Sequence, residues 1–148
     1  IDAEGYTMRK AILWTSMLAL LAVVTAGCAT MANKAPVDQK AEVRAVVDRW
    51  AEAVQAKNTD AVVALLSPTF SSSDFGDFAE FPDNFRDFVD EGNLDNAKVD
   101  LSQAEIVVED GKATVYPVDV EASFGSATLR LSLVEENGEW KIAGLEQS

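Results

Sequence analysis

The sequence predicts an α+β domain in which three N-terminal helices pack on a bent four-stranded antiparallel sheet, the whole preceded by a signal helix. Three observations predict it. Between Val37 and Asn58 apolar residues recur at the three-and-four spacing of one helix face. From Lys98 onward the period drops to two, with turn dipeptides between the runs. Ahead of both stands an apolar stretch that ends in a lone cysteine.

That stretch, Met8 to Cys28, reads as a lipoprotein signal. Arg9 and Lys10 supply a basic start, Ala11 to Val24 an apolar run short for a membrane span, and Ala26 and Gly27 the small residues before the cut. Cleavage is expected between Gly27 and Cys28, with lipid attached to Cys28. A buried thiol, a reactive nucleophile and an uncleaved signal anchor are the competing readings. Thr25 stands three before the cysteine, where Leu is usual in bacterial lipoproteins. Ala29, rather than Asp, resembles the lipoproteins that two-membraned bacteria export to the outer membrane. Residues 1–7 precede a better start at Met8 and read as an upstream extension. Residues 28–36 are small and polar and end in Pro36, so they form a tether that spans at most about 3.6 Å per residue.

The chain has 148 residues, and roughly 120 follow the expected cut, which is room for one domain, 37–148. Its net charge is −13, and the leader carries equal numbers of acids and bases, so the charge belongs to the domain. Such a charge argues against nucleic acid as a partner and against the domain lying on an anionic membrane surface. There is no histidine, the commonest general base and metal ligand, and one cysteine allows neither an internal disulfide nor a thiolate zinc site. No cofactor is expected.

Val43, Val46, Val47, Trp50 and Val54 mark the buried face of the first helix, over 37–58. A second, short helix is expected from Asp60 to Leu66, capped by Thr59 and stopped by Pro68, with Val62, Val63, Leu65 and Leu66 in the core. Six of the seven phenylalanines then fall at 70, 75, 78, 81, 85 and 88. Pro82 in a first-turn position and Gly92 at the far end predict a third helix that buries Phe85, Phe88 and Val89. The stretch before it, with Gly76 and its polar or acidic neighbours, reads as loop or a broken helical turn. Either its rings are core and its acids a solvated rim, or Phe75, Phe78 and Phe81 line the mouth of an apolar pocket. A metal site is not expected, because the acids of 74–91 nowhere match the spacing of a calcium loop.

Strands are expected near 98–109, 112–123, 126–136 and 139–146. Asp110-Gly111 and Asn137-Gly138 suit two-residue hairpin turns, and Phe124-Gly125-Ser126 marks a third reversal. Ile106 and Val108, then Tyr116, Val118, Val120 and Ala122, then Leu129, Leu131 and Leu133 form one alternating apolar face. Pro117 costs a ladder bond, which predicts a bulge or strong bend. Asp119 and Glu121 alternate to the other face.

Val47-Asp48-Arg49-Trp50-Ala51, the turn Asn58-Thr59-Asp60-Ala61 with Leu65-Leu66, and Asn137-Gly138-Glu139-Trp140-Lys141-Ile142 resemble the superfamily of nuclear transport factor two and ketosteroid isomerase, nearest its SnoaL-like members. The resemblance implies a cystatin-like cone of sheet around an apolar cavity, and frequent homodimers through the outer sheet face. Its enzymes place an acid or an Asp-His pair in the cone, opposed by an oxyanion donor. Without histidine, a lone carboxylate would have to serve. Tyr116, read as facing the cavity, and Asp74 are the catalytic candidates, against the simpler reading of a core tyrosine and a loop acid.

Three functions are therefore carried forward. The first is a non-enzymatic, lipid-anchored envelope domain, at the periplasmic face of the outer membrane, that binds a small apolar ligand or a partner protein. The second is a carboxylate-dependent isomerase, dehydratase or cyclase of the SnoaL-like type. The third is a structural or assembly subunit acting through the outer sheet face. Cys28→Ala is expected to leave the protein unlipidated, by mass spectrometry, and absent from the membrane fraction; anchoring that survives the substitution would show an uncut helix.

Overall fold

The computed structural model describes residues 36–148. The extension, the signal peptide, the cut at Gly27-Cys28, the lipid acceptor Cys28 and all of the tether before Pro36 lie outside the described residues. Among these residues no helix is long and apolar enough to cross a membrane.

Helix α1 (Pro36–Gln55) begins at the proline assigned to the tether. It buries Val43, Val46, Val47, Trp50 and Val54, the face its spacing predicts. It ends in a Schellman motif: the Lys57 N–H donates to the Val54 carbonyl and the Asn58 N–H to the Ala53 carbonyl, with Lys57 left-handed at φ 56°. Asn58 then opens α2 (Thr59–Val63), its side chain accepting from the Ala61 N–H at 3.1 Å. The cap is thus Asn58 and not Thr59, which is buried as the first helical residue.

The sheet departs from expectation in strand number. Among the described residues it has seven strands and not four. Leu66–Ser72, expected to finish a helix and enter a loop, is β1, and Gly76–Asp77 is the short β2. After α3 (Phe81–Asp90) come β3 (Lys98–Asp100), β4 (Glu105–Glu109), β5 (Lys112–Ala122), β6 (Gly125–Glu136) and β7 (Glu139–Gln147). The order is β2-β1-β7-β6-β5-β3, with β4 also on β5. All pairs are antiparallel except β1 with β7.

Each departure has a local cause. Pro68 is tolerated in β1 because β2 reaches only Ser71 and Ser72, leaving an open edge at the proline, and because the β1–β7 register slips between Leu66 and Ser71. Buried Ser67 reinforces the strand by donating to Glu136 at 2.6 Å. The expected strand 98–109 is broken by Asp100, whose carboxylate accepts from the Ser102 N–H at 2.8 Å in a turn between β3 and β4. Hydrogen bonds from the Ser102 hydroxyl and N–H hold the Asp100 carboxyl below its ordinary range.

Both hairpin dipeptides form the expected turns. Asp110 and Gly111 have φ of 50° and 73°, Asn137 and Gly138 of 51° and 79°, and such paired positive φ values match the twist of the flanking strands. At Pro117 the ladder slips between Val115 and Val118, as the missing N–H predicts, and the Tyr116-Pro117 bond is cis. The slip carries Tyr116 to the outside, so the inner face of β5 is Ala113, Val115, Val118 and Val120, with Leu131 and Leu133 from β6. Helix α1 packs against β3, β4 and β7, and α2 against α3, closing one core.

Asn58→Ala is expected to cost about 1 kcal/mol in a urea titration, and Asn58→Asp, which keeps the acceptor, a few tenths.

Candidate functional site

Six phenylalanines and the strands they meet generate one cavity. Phe70 on β1 and Phe81 at the start of α3 are buried, with ring centroids 5.1 Å apart and edge to face. Phe85, one turn on, stacks on Phe81 at 5.1 Å and 16°. Phe75 stands in the middle, edge to face with Phe81, Phe85 and Phe88 at 5.7, 5.6 and 5.3 Å. Such contacts add about 0.5–1.5 kcal/mol each beyond burial.

Short polar contacts fix Phe75. The buried Ser72 hydroxyl accepts from the Asp74 and Phe75 N–H groups at 3.3 and 3.4 Å. The Asn84 amide of α3 donates to the Phe75 carbonyl at 3.0 Å. Asp77 accepts from Ala79 and Glu80 N–H groups and starts the turn into α3. Ser72 and Asn84, which look like loop filler, thus fix the backbone that carries one ring.

Between this cluster and the inner face of the sheet lies a cavity of about 470 Å³. Trp50, Phe75, Phe85, Phe88 and Phe124 supply its aromatic wall, with Leu94, Leu129 and Leu145 among its aliphatic residues. Asp74, Ser126 and Gln147 are its polar residues, and no lysine or arginine lines it. The size is within the range of about 300–1,000 Å³ usual for small-molecule sites. Phe124, partly exposed at the β5–β6 tip, touches Phe88 at 5.7 Å. Its backbone is tied to the segment after α3: the Phe124 N–H donates to the Asn93 carbonyl and the Ser123 N–H to the Asp95 carbonyl, both at 3.0 Å.

The structure divides the candidate residues. Phe75 and Asp74 line the cavity. Phe81 does not, because it is the inward-facing first residue of α3 and lies in the core behind Phe75. Phe78 is half-buried against the core and also stands off the wall, its N–H bonded to the Phe70 carbonyl. Tyr116 is on the outer face, with the Arg130 guanidinium 4.7 Å from its ring centre. Tyr116 and Asp74 are therefore on opposite sides of the sheet, because the slip at Pro117 reverses the alternation that placed Tyr116 inside. Among the described residues no three metal-ligating side chains cluster.

Sequence reasoning missed Phe124, Leu94, Leu129 and Leu145 as wall residues, and treated Trp50 as core alone. Only Phe124 carried a signal, as the one phenylalanine outside the 70–88 run and at a turn.

No family profile matches the sequence, and no curated protein matches it. Solved structures do match. A protein of unknown function with a cystatin-like fold from Nostoc punctiforme superposes with a TM-score of 0.63 at 16% identity, over 78% of this chain and 93% of the other. The fold is cystatin-like. An NTF2-like protein of unknown function from Pseudomonas putida aligns at 13% identity and a TM-score of 0.62, over 76% of this chain and 87% of its own. A candidate dehydratase of the NTF2-like family from Streptomyces avermitilis aligns at 12% and 0.64, over 77% and 97%. At these identities the cystatin-like, NTF2-like likeness extends to the fold alone.

Phe81→Ala is expected to cost about 3–5 kcal/mol in chemical denaturation, as a core ring. Phe124→Ala, at the rim, is expected to cost about 1 kcal/mol or less.

Proposed function

We propose that this chain is a lipid-anchored protein of the bacterial cell envelope, held through Cys28 at the periplasmic face of the outer membrane, whose domain binds a small apolar molecule without transforming it. The observation that carries the reading is the cavity: five aromatic rings and several aliphatic side chains around about 470 Å³, with polar groups only at Asp74, Ser126 and Gln147. A ligand that fills it gains burial of apolar surface at roughly 25 cal/mol per Å². The anchor rests on the Met8–Cys28 signal and is tested by Cys28→Ala.

A second reading, a carboxylate-dependent dehydratase, is favoured by the likeness to the Streptomyces avermitilis protein. It asks for a base and an opposing hydrogen-bond donor on one substrate. Asp74 is the sole carboxylate in the lining, and Tyr116 faces away from it. Binding without turnover therefore accounts for the cavity with fewer requirements.

The neutral fluorophore N-phenyl-1-naphthylamine is expected to bind saturably, one per chain, with enhanced emission. Ala127, opposite Val120 on the inner face and in the lining, offers the control. Ala127→Trp should fill the cavity and abolish binding while circular dichroism shows the domain folded. Unchanged binding in that variant, or none in the parent, would overturn the proposal.

A further inference from the structure

The cavity has an electrical character as well as an apolar one. Its wall contains Trp50, Phe75, Phe85, Phe88 and Phe124, and the face of an aromatic ring is negative. Asp74 lies in the same lining, and among the described residues its carboxylate has no ion pair and no side-chain hydrogen bond; only its backbone N–H is engaged, by Ser72. No lysine or arginine enters the lining. Lys57 pairs with Asp95 at 2.6 Å, Arg44 with Asp48 at 2.9 Å, and Arg86 with Asp83 and Asp60 at 3.4 and 3.8 Å. The chain as a whole carries −13.

These observations select a ligand class. A carboxylate or phosphate ligand would bring a second negative charge beside Asp74 and gain no cationic partner. A neutral ligand would leave Asp74 to water. An organic cation with an apolar body would meet the rings with its alkylated nitrogen and Asp74 with its charge, in a protein whose overall field draws cations in. Resting on the proposed small-molecule site, we infer that the cavity is selective for an organic cation, an alkylated or quaternary ammonium borne on an aryl or short alkyl group. Asp74 is its counter-charge and the five rings are its cage.

The test uses three aryl probes of similar size on the full chain, titrated by ligand-observed NMR: benzyltrimethylammonium, its uncharged carbon isostere neopentylbenzene, and phenylacetate. The cation is expected to bind at least about tenfold more tightly than the isostere, and phenylacetate most weakly. Asp74→Asn, at an exposed residue whose carboxylate has no ion pair or side-chain hydrogen bond among the described residues, should bring the cation to within about threefold of the isostere and leave isostere binding unchanged. Equal binding of cation and isostere would overturn the inference and leave the apolar site standing. Failure of all three probes to bind would overturn both. A cation preference undiminished in Asp74→Asn would overturn the role of Asp74 and with it the inference.

Discussion

Strand β5 carries two hydrophobic alternations that are out of phase by one residue. Ala113 and Val115 belong to one, Val118 and Val120 to the other, and a regular strand would bury only one pair. The sheet buries both because the ladder to β6 slips between Val115 and Val118, at a residue with no N–H to donate. The inner face of the sheet depends on that slip. It keeps Val115 against Leu131 in register while Val118 meets Leu129 and Val120 meets Ala127 further along. The first group closes the core, and Val120, Ala127 and Leu129 wall the cavity.

The aromatic cluster has a matching division of labour. Phe70, Phe81 and Phe85 are buried within 5% exposure, Phe85 also forming part of the wall; Phe75 leans on Phe81 and Phe85 from the cavity side, and Phe88 leans on Phe75. Removing an inner ring would disturb packing at native density, whereas an outer ring can change with less consequence for the fold. Holding Phe75 falls to groups of no apparent chemical interest, the Ser72 hydroxyl and the Asn84 amide, while the Asp77 carboxylate starts the turn into α3. Two polar side chains of 71–84 therefore serve to place one aromatic side chain.

Local signals were legible in the sequence and distant ones were not. The face of α1, the third helix, both hairpin dipeptides and the bulge at Pro117 follow from periodicity, proline chemistry and positive φ, all of which act within a few residues. Strand β1 was hidden, since LSPTFSS offers a proline and four hydroxyl side chains, and its partner lies far along the chain, Leu66 against Ile142. Parallel pairing has no turn to announce it. The same distance explains the cavity. Phe75 and Asp74 were readable as candidates, but Leu94, Phe124 and Leu145 join them only through the tertiary fold. Tyr116 failed for the opposite reason: the bulge was foreseen, yet its effect on facing requires knowing which residues flank the slip.

The mouth of the cavity is held by main chain. Ser123 and Phe124 give their N–H groups to the carbonyls of Asp95 and Asn93, and any amino acid other than proline can make those bonds. The opening therefore keeps its shape whatever side chain stands at 124, so that position is an interchangeable fitting on a fixed frame. A lineage carrying this domain can change what passes the rim by one codon, without refolding the protein around it.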